Sequence, residues 1–241
     1  VRHLNESGCH ASNRMSLAGI LALAPKTSVR NAAYNGELHC IMDNTVGSLT
    51  QLQRSIIIGT ILGDGYVRIV SGKKNALLEI NHSFSQKEYV DWKYEMLKAL
   101  CKSGPKARAS NGTRIAYRFN TRQHPEMTEL HASFYGERRK SIPFDLRLDP
   151  IMLAVWFMDD GSKCSEDNVY LNTQQFAMPD QKRCQELLLE IGIETTLNRD
   201  KEYWRVRIRK SSLPLFWETI SPHIVPSMAY KLGHNPVETC S

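Results

Sequence analysis

Two apolar runs of helical length end at the same dipeptide. Residues 57–65 read IIGTILGDG, and residues 153–161 read LAVWFMDDG. Each run predicts a buried helix, and the glycines that follow the acids, Gly65 and Gly161, predict a left-handed residue that ends it. An acid in the last turn faces the negative end of the helix dipole, which is unfavourable unless a cation compensates. Asp64 and Asp160 therefore predict paired carboxylates that hold divalent metal.

The order of patterns after the first run is repeated after the second. In the first part we expect strands after Gly65 and over 78–84, a helix begun by a capping box of Ser85 and Glu88, an alternating strand over 114–122, and a helix from Pro125. In the second part we expect a strand over 169–174, a helix through 184–191, strands over 194–198 and 203–209, and a helix through 213–220. Both parts therefore predict an α+β fold of two pseudo-symmetric αββαββα halves.

The two halves are expected to join through their first helices. Gly59 and Gly63 lie four apart on one helix face, which would allow a close backbone approach. The alternative is two independent domains whose helix ends are unrelated. We place the first half at residues 49–149 and the second at 150–241.

Residues 1–48 show no sustained periodicity, so we expect an amino-terminal extension that is not part of the fold. Its longest apolar run, Leu17 to Ala24, is too short to span a bilayer, and no membrane partner is expected. The six cysteines are scattered without a C-x-x-C pair, which fits neither a zinc site nor a disulfide framework.

The net charge of +6 and the pI of about 9.0 indicate a polyanionic partner. Two predicted strands carry arginines on one face and apolar side chains on the other. Guanidinium groups suit bidentate contacts with guanine or phosphate, although a charged strand face can also be simply solvated. The candidate DNA-contacting arginines are Arg68, Arg114, Arg118 and Arg122 in the first half and Arg205, Arg207 and Arg209 in the second.

These residues resemble the LAGLIDADG homing endonucleases. The first motif keeps Gly59, Ile61, Asp64 and Gly65, and the second keeps Leu153, Ala154, Asp160 and Gly161. Residues 153–163, 171–174 and 224–232 are similar to the omega-intron branch of that family. The resemblance covers roughly residues 50–236.

The resemblance implies the homing-endonuclease fold: a monomer whose motif helices form the central interface and whose sheets lie in the major groove of double-stranded DNA. It implies a site-specific endonuclease, a hydrolase for intron homing that makes a Mg²⁺-dependent double-strand break, with Mn²⁺ as a substitute, in a long asymmetric target. The metal-binding residues it implies are the carboxylates of Asp64 and Asp160 and the carbonyls of Gly63 and Asp159. The basic residues it implies near the scissile phosphates are Lys140 and Lys231. Gln174 is a further candidate for ordering water or contacting DNA, whereas His82 is expected to be a packed core residue.

Two other functions remain open from the sequence. One is an RNA maturase, which would bind intron RNA and cut nothing. The other is a DNA-binding regulator that reuses the fold. The resemblance to intron-encoded proteins favours an organelle, mitochondrion or chloroplast, with a prokaryotic cytoplasm as the alternative.

Overall fold

A computed structural model describes residues 48–109, 114–136 and 139–233. The predicted extension therefore lies outside the described residues, apart from its last residue. The first half comprises α1 (Gln51–Leu62), β1 (Tyr66–Ile69), β2 (Ala76–Ser83), α2 (Lys87–Leu97), β3 (Lys106–Ala109), β4 (Ile115–Asn120) and α3 (Pro125–Phe134). The second comprises α4 (Pro150–Asp160), β5 (Gly161–Ser165), β6 (Asn168–Leu171), α5 (Met178–Glu190), β7 (Thr195–Asp200), β8 (Tyr203–Ile208) and α6 (Leu213–Ile220). The predicted α+β fold and its repeated element order are confirmed.

The two halves form four-stranded antiparallel sheets of matching topology. The strand order is β1-β2-β4-β3 in the first and β5-β6-β8-β7 in the second. Successive side chains of a strand point to opposite faces, so one face of each sheet is apolar and packs on helices. In the first sheet Val67, Leu78 and Phe119 are buried on that face, whereas Arg118 and Asn120 are exposed on the other. The polar face of each sheet is therefore directed away from the core.

Helices α1 and α4 pack against each other with their backbones in close contact. A Cβ atom on Gly59 would lie 2.6 Å from the Met152 carbonyl oxygen and 2.8 Å from the Cβ of Val155. A Cβ on Gly63 would overlap the side chain of Asp159. The predicted close approach through Gly59 and Gly63 is confirmed, and the alternative of two independent domains with unrelated helix ends is wrong.

The prediction that Gly65 and Gly161 adopt left-handed conformations is wrong. Gly63 caps α1 with φ −93°, and Gly161 caps α4 with φ −75°. Within the described ranges, the glycines with positive φ are Gly72, Gly192 and Gly233. Glycine is required after the acids for space instead: a Cβ on Gly65 would lie 2.7 Å from the Thr60 carbonyl oxygen, and one on Gly161 would overlap Phe157.

The predicted capping box of Ser85 and Glu88 is also wrong. A short 3₁₀ turn over Phe84–Gln86 precedes α2, which starts at Lys87 without a side-chain cap. The capping box found in the structure belongs to α1, where Thr50 and Gln53 each bond the backbone N–H of the other.

Neither membrane spans nor disulfides are found in the part of the chain that the structure describes. No helix there is long and apolar enough to cross a bilayer. Cys101, Cys164 and Cys184 are free thiols, and Cys101 and Cys184 are buried.

Candidate active site

The two motif acids lie at the ends of the paired helices. Asp160 is the last residue of α4, and Asp64 follows the residue that caps α1. Both acids line one open depression of about 750 Å³ between the halves. Its lining residues are Gly63, Asp64, Gly65, Tyr66, His131, Tyr135, Lys140, Asp160, Asn172, Gln174 and Gln175. The structure therefore brings together acids that are far apart in the sequence.

The electrostatics of this depression favour bound cations. Burial, followed by the negative charges of Asp64 and Asp159, raises the pKa of Asp160 to about 7 against the opposing effect of two lysines. Burial also raises the pKa of Asp64, followed by the charge of Asp159. Partly desolvated carboxylates that repel each other are stabilised when a cation is shared between them.

A lysine lies at the carbonyl end of each motif helix. Lys140 Nζ donates to the Gly63 carbonyl at 2.8 Å. Lys231 Nζ donates to the carbonyls of Met158 at 2.6 Å and Asp159 at 3.1 Å. Burial lowers the pKa of Lys140 to about 8 and lowers that of Lys231, while the nearby acids oppose the shift. Both predicted lysines are thus placed beside the predicted carbonyl ligands.

Gln174 makes no hydrogen bond to the motif acids, whereas Gln175 bonds to Asp160. The Gln175 amide donates to Asp160 Oδ2 at 3.2 Å and to the Gly63 carbonyl at 3.4 Å, and its Oε1 accepts from Lys140 Nζ at 3.1 Å. Gln174 instead donates to Asp200 Oδ2 at 3.0 Å, although it too lines the depression. Sequence reasoning missed Gln175 because β6 ends at Leu171, so strand alternation does not decide which of two adjacent glutamines faces the site.

The side chain of Asp159 points away from the depression, and only its backbone carbonyl reaches Lys231. Its carboxylate is fully buried and accepts from Lys93 Nζ at 2.8 Å and from the Tyr89 hydroxyl at 2.8 Å. Lys93 is also fully buried, on α2 of the first half. No local pattern indicates this pair, because a lysine in an amphipathic helix is ordinarily exposed.

His82 lies on the helix-packing face of its sheet and is buried, as expected of a core residue. Its surroundings are polar nonetheless: Nδ1 lies 3.6 Å from Asp64 Oδ2, and Nε2 lies 3.4 Å from Lys93 Nζ. Burial, followed by the charge of Lys93, lowers the pKa of His82 to about 4, so the imidazole is neutral at physiological pH.

The donor atoms fit a divalent cation of the Mg²⁺ class. Among residues 48–109, 114–136 and 139–233 there is no group of three His, Cys, Asp or Glu side chains close enough to hold a metal ion. The available donors are the carboxylates of Asp64 and Asp160 and the adjacent carbonyls. These are hard oxygen ligands, and Mg²⁺ typically combines one or two carboxylates with water and phosphate oxygens.

The polar face of the first sheet forms a groove of about 500 Å³. It contains the predicted Arg68 and Arg118, and Arg68 pairs with Glu79 at 2.7 Å. Arg114 and Arg122 are exposed beyond either end of β4. The groove also contains Lys106 and Arg108 of β3, which sequence reasoning missed because a four-residue strand shows too little alternation.

Two of the three predicted arginines of the second sheet are engaged within the protein. Arg205 stacks 3.9 Å above the ring of Tyr170, and Arg207 donates to the Asp167 carbonyl at 3.3 Å. Arg209 is exposed, 3.7 Å from Glu194. The stack holds the Arg205 guanidinium in a fixed orientation on the polar face.

Comparisons with known proteins agree with this architecture. The chain is 29% identical over 191 residues to cytochrome b mRNA maturase bI2 of Debaryomyces hansenii, covering 74% of this chain and 72% of that protein. It is 28% identical to the DNA endonuclease I-ChuI of Chlamydomonas applanata, covering 77% and 96%. The homing endonuclease I-WcaI, solved bound to its DNA recognition sequence, superposes with a TM-score of 0.73 at 24% identity, covering 90% and 97%.

The family model of the LAGLIDADG DNA endonuclease family matches residues 54–216, which include both motif helices and both sheets. This match extends over more than half of the chain, and a single family model includes both helices that end at the motif acids. The chain belongs to the LAGLIDADG DNA endonuclease family.

Proposed function

We propose that this protein is an intron-homing endonuclease that makes a divalent-metal-dependent double-strand break in a long asymmetric DNA site. The observation that carries the proposal is the meeting of Asp64 and Asp160 in one depression, with a lysine at the end of each motif helix. That arrangement supplies carboxylates that can bind metal ions and lysines that can bind DNA phosphates, between the two sheets.

The polar faces of the two sheets would bind the duplex. Arg68 and Arg118 in the first half and Arg205 in the second offer guanidinium groups to base edges and phosphates. Exposed arginines at the strand ends, among them Arg114, Arg122 and Arg209, extend the positive surface along the backbone, with Arg207 and Gln174 as further contacts. A single chain with two related halves suits an asymmetric site without dimerisation.

At the centre, Asp64 and Asp160 would hold the cations together with the scissile phosphates, and Gly63 and Asp159 offer backbone carbonyls. Bound Mg²⁺ or Mn²⁺ would activate water and stabilise the leaving oxygen. Lys140 and Lys231 would leave their carbonyl partners to contact phosphate oxygens. Because the pKa of Lys140 is lowered to about 8, its amine can also accept a proton from water near neutral pH. Gln175 would orient that water or the Asp160 carboxylate.

The matching tests are the variants Asp64→Asn and Asp160→Asn, with Asp145→Asn at an exposed position as the control. The substrate is a plasmid carrying the uninterrupted sequence of the gene from which this reading frame comes. We expect the wild type and the control to linearise it when Mg²⁺ or Mn²⁺ is present and to leave it intact in EDTA. Both site variants should bind the target in a gel-shift assay and leave it uncut. Undiminished cutting by either one would refute the assignment.

An intron RNA maturase is the second candidate, since two relatives are named as mRNA maturases. The maturase hypothesis predicts that the protein speeds splicing of the host intron in vitro and does not cut the plasmid in the presence of metal. A protein with both activities would lose only cutting on Asp160→Asn. We further propose a monomer that acts in an organelle, with the halves at residues 49–149 and 150–241.

A further inference from the structure

Beneath the acids lies a buried polar cluster centred on a lysine of the first half. Lys93 of the first half reaches across to Asp159 of the second, with its Nζ 2.8 and 3.0 Å from the two carboxylate oxygens. The Tyr89 hydroxyl donates to the same carboxylate, and His82 lies between Lys93 and Asp64. Lys93 and Asp159 side chains are both fully buried.

The other side of the pseudo-symmetric molecule has no such pair at the equivalent positions. Asp159 precedes the motif acid of the second half, and Gly63 precedes that of the first. Lys93 is the seventh residue of α2, and the seventh residue of α5 is Cys184, which is buried. The internal duplication therefore has an ion pair on one side and a glycine and a cysteine on the other.

Stability alone does not account for this pair. Burying two charges removes them from water, and replacing a buried ion pair by apolar residues is often neutral or stabilising. The pair does fix geometry: it ties α2 of one half to the last turn of α4 in the other. Asp160 is the next residue, and the Asp159 carbonyl is already held by Lys231. A shift of the last turn of α4 at Asp159 would therefore move both the carbonyl and the neighbouring carboxylate.

We propose that Lys93 is a positioning residue, which through Asp159 holds the α4 side of the site in place and thereby sustains the cutting rate of one strand more than that of the other. This inference rests on the proposed nuclease function. The α1 side lacks an equivalent anchor, so loss of the pair should slow the two strands to different extents.

The test uses the double variant Lys93→Met/Asp159→Asn, which removes both charges together and leaves no unpaired buried charge. The control is Arg54→Met/Glu126→Gln, which removes a partly exposed ion pair of 3.2 Å elsewhere in the first half. Each protein is measured for DNA affinity in Ca²⁺, for the metal-induced rise in melting temperature, and for the single-turnover cutting rate of each end-labelled strand.

We expect the double variant to bind DNA within about twofold of the wild type and to need more metal for half-saturation. Partners that orient metal ligands typically contribute 10–100-fold to affinity or activity, so we expect one strand to be cut about tenfold more slowly. Nicked plasmid should then accumulate. Tyr89→Phe, which removes only one hydrogen bond to Asp159, should act in the same direction with a smaller effect and covers the case in which the double variant does not fold.

Wild-type rates on both strands with unchanged metal dependence would show that the pair is only structural, and equal slowing of both strands would overturn the asymmetry. If the wild type itself cuts no DNA, the nuclease proposal fails. An unchanged metal-induced rise in melting temperature in the double variant would then overturn the positioning role separately.

Discussion

Replacing Asp160 by asparagine should stabilise the metal-free protein at pH 8 while it abolishes cleavage. The pKa of Asp160 is raised from 3.8 to about 7, mainly by burial and by the charge of Asp64. One pKa unit corresponds to about 1.4 kcal/mol, so the ionised carboxylate lowers the free energy of unfolding by at most about 4 kcal/mol. Since the side chain keeps partial contact with solvent, we take half of that, about 2 kcal/mol, as the gain for Asp160→Asn at pH 8.

The sign of the pH dependence follows from the direction of the shift. Between pH 3.8 and about 7 the native state binds more protons at Asp160 than the unfolded state does. The stability of the wild type therefore falls as pH rises through that window, and the advantage of Asp160→Asn should be larger at pH 8 than at pH 5. Mg²⁺ at ten times its dissociation constant should restore about 1.4 kcal/mol to the wild type and almost nothing to the variant.

Urea unfolding in EDTA at pH 5 and pH 8, repeated with Mg²⁺ at pH 8, measures these differences. Asp145→Asn removes an exposed carboxylate and should leave the free energy of unfolding within a few tenths of a kcal/mol at both pH values. An Asp160→Asn protein that is no more stable than the wild type at pH 8 would refute the electrostatic reasoning. So would a gain that is larger at pH 5.

Two further changes test the helix interface and the basic side chains. Gly59→Ala should lower the free energy of unfolding by about 2–3 kcal/mol because its Cβ would lie 2.6 Å from the Met152 carbonyl oxygen. Gly104→Ala, whose nearest neighbour is 3.7 Å away, should change the free energy of unfolding little. Urea unfolding compares the two variants, and equal stabilities would contradict the close packing. The single-turnover cutting rate of the wild type should rise as pH increases through about 8, where the Lys140 amine loses its proton, and Lys140→Met should remove that rise. An identical pH–rate profile in the two proteins would exclude Lys140 as the base.

Most of the fold could be predicted from the sequence because the longer elements each carry their own periodic pattern. The runs that end at Asp64 and Asp160 are long enough to specify helices, and β4 and β8 alternate between more buried and more exposed positions. The errors concern details that depend on neighbouring segments. Gly65 and Gly161 are needed because Thr60 and Phe157 crowd them, and no local turn rule reveals that crowding.

The sequence predicts only those residues of the candidate site that the internal duplication or the family resemblance indicates. Asp64 and Asp160 are equivalent by duplication, so they were found together, and Lys140 and Lys231 followed from the family resemblance. Gln175, Lys93 and Tyr89 break the symmetry or act across the interface between the halves. Their roles depend on which side chains meet in space, and spacing along the chain does not contain that information.

The electrostatics of the site bear on the choice between cutting DNA and binding RNA. Burial and the charge of Asp159 raise the pKa of Asp64, burial and the charges of Asp64 and Asp159 raise that of Asp160, and Lys140 and Lys231 are buried at the cost of a lowered pKa. A protein that used only its basic sheets to bind RNA would gain stability by replacing these groups with neutral ones, because the sheets do not depend on them. Desolvated acids and lysines at one point are instead what metal-assisted phosphodiester hydrolysis requires. The instability built into the metal-free site is therefore an argument for the nuclease, and it is the same instability that Asp160→Asn should relieve.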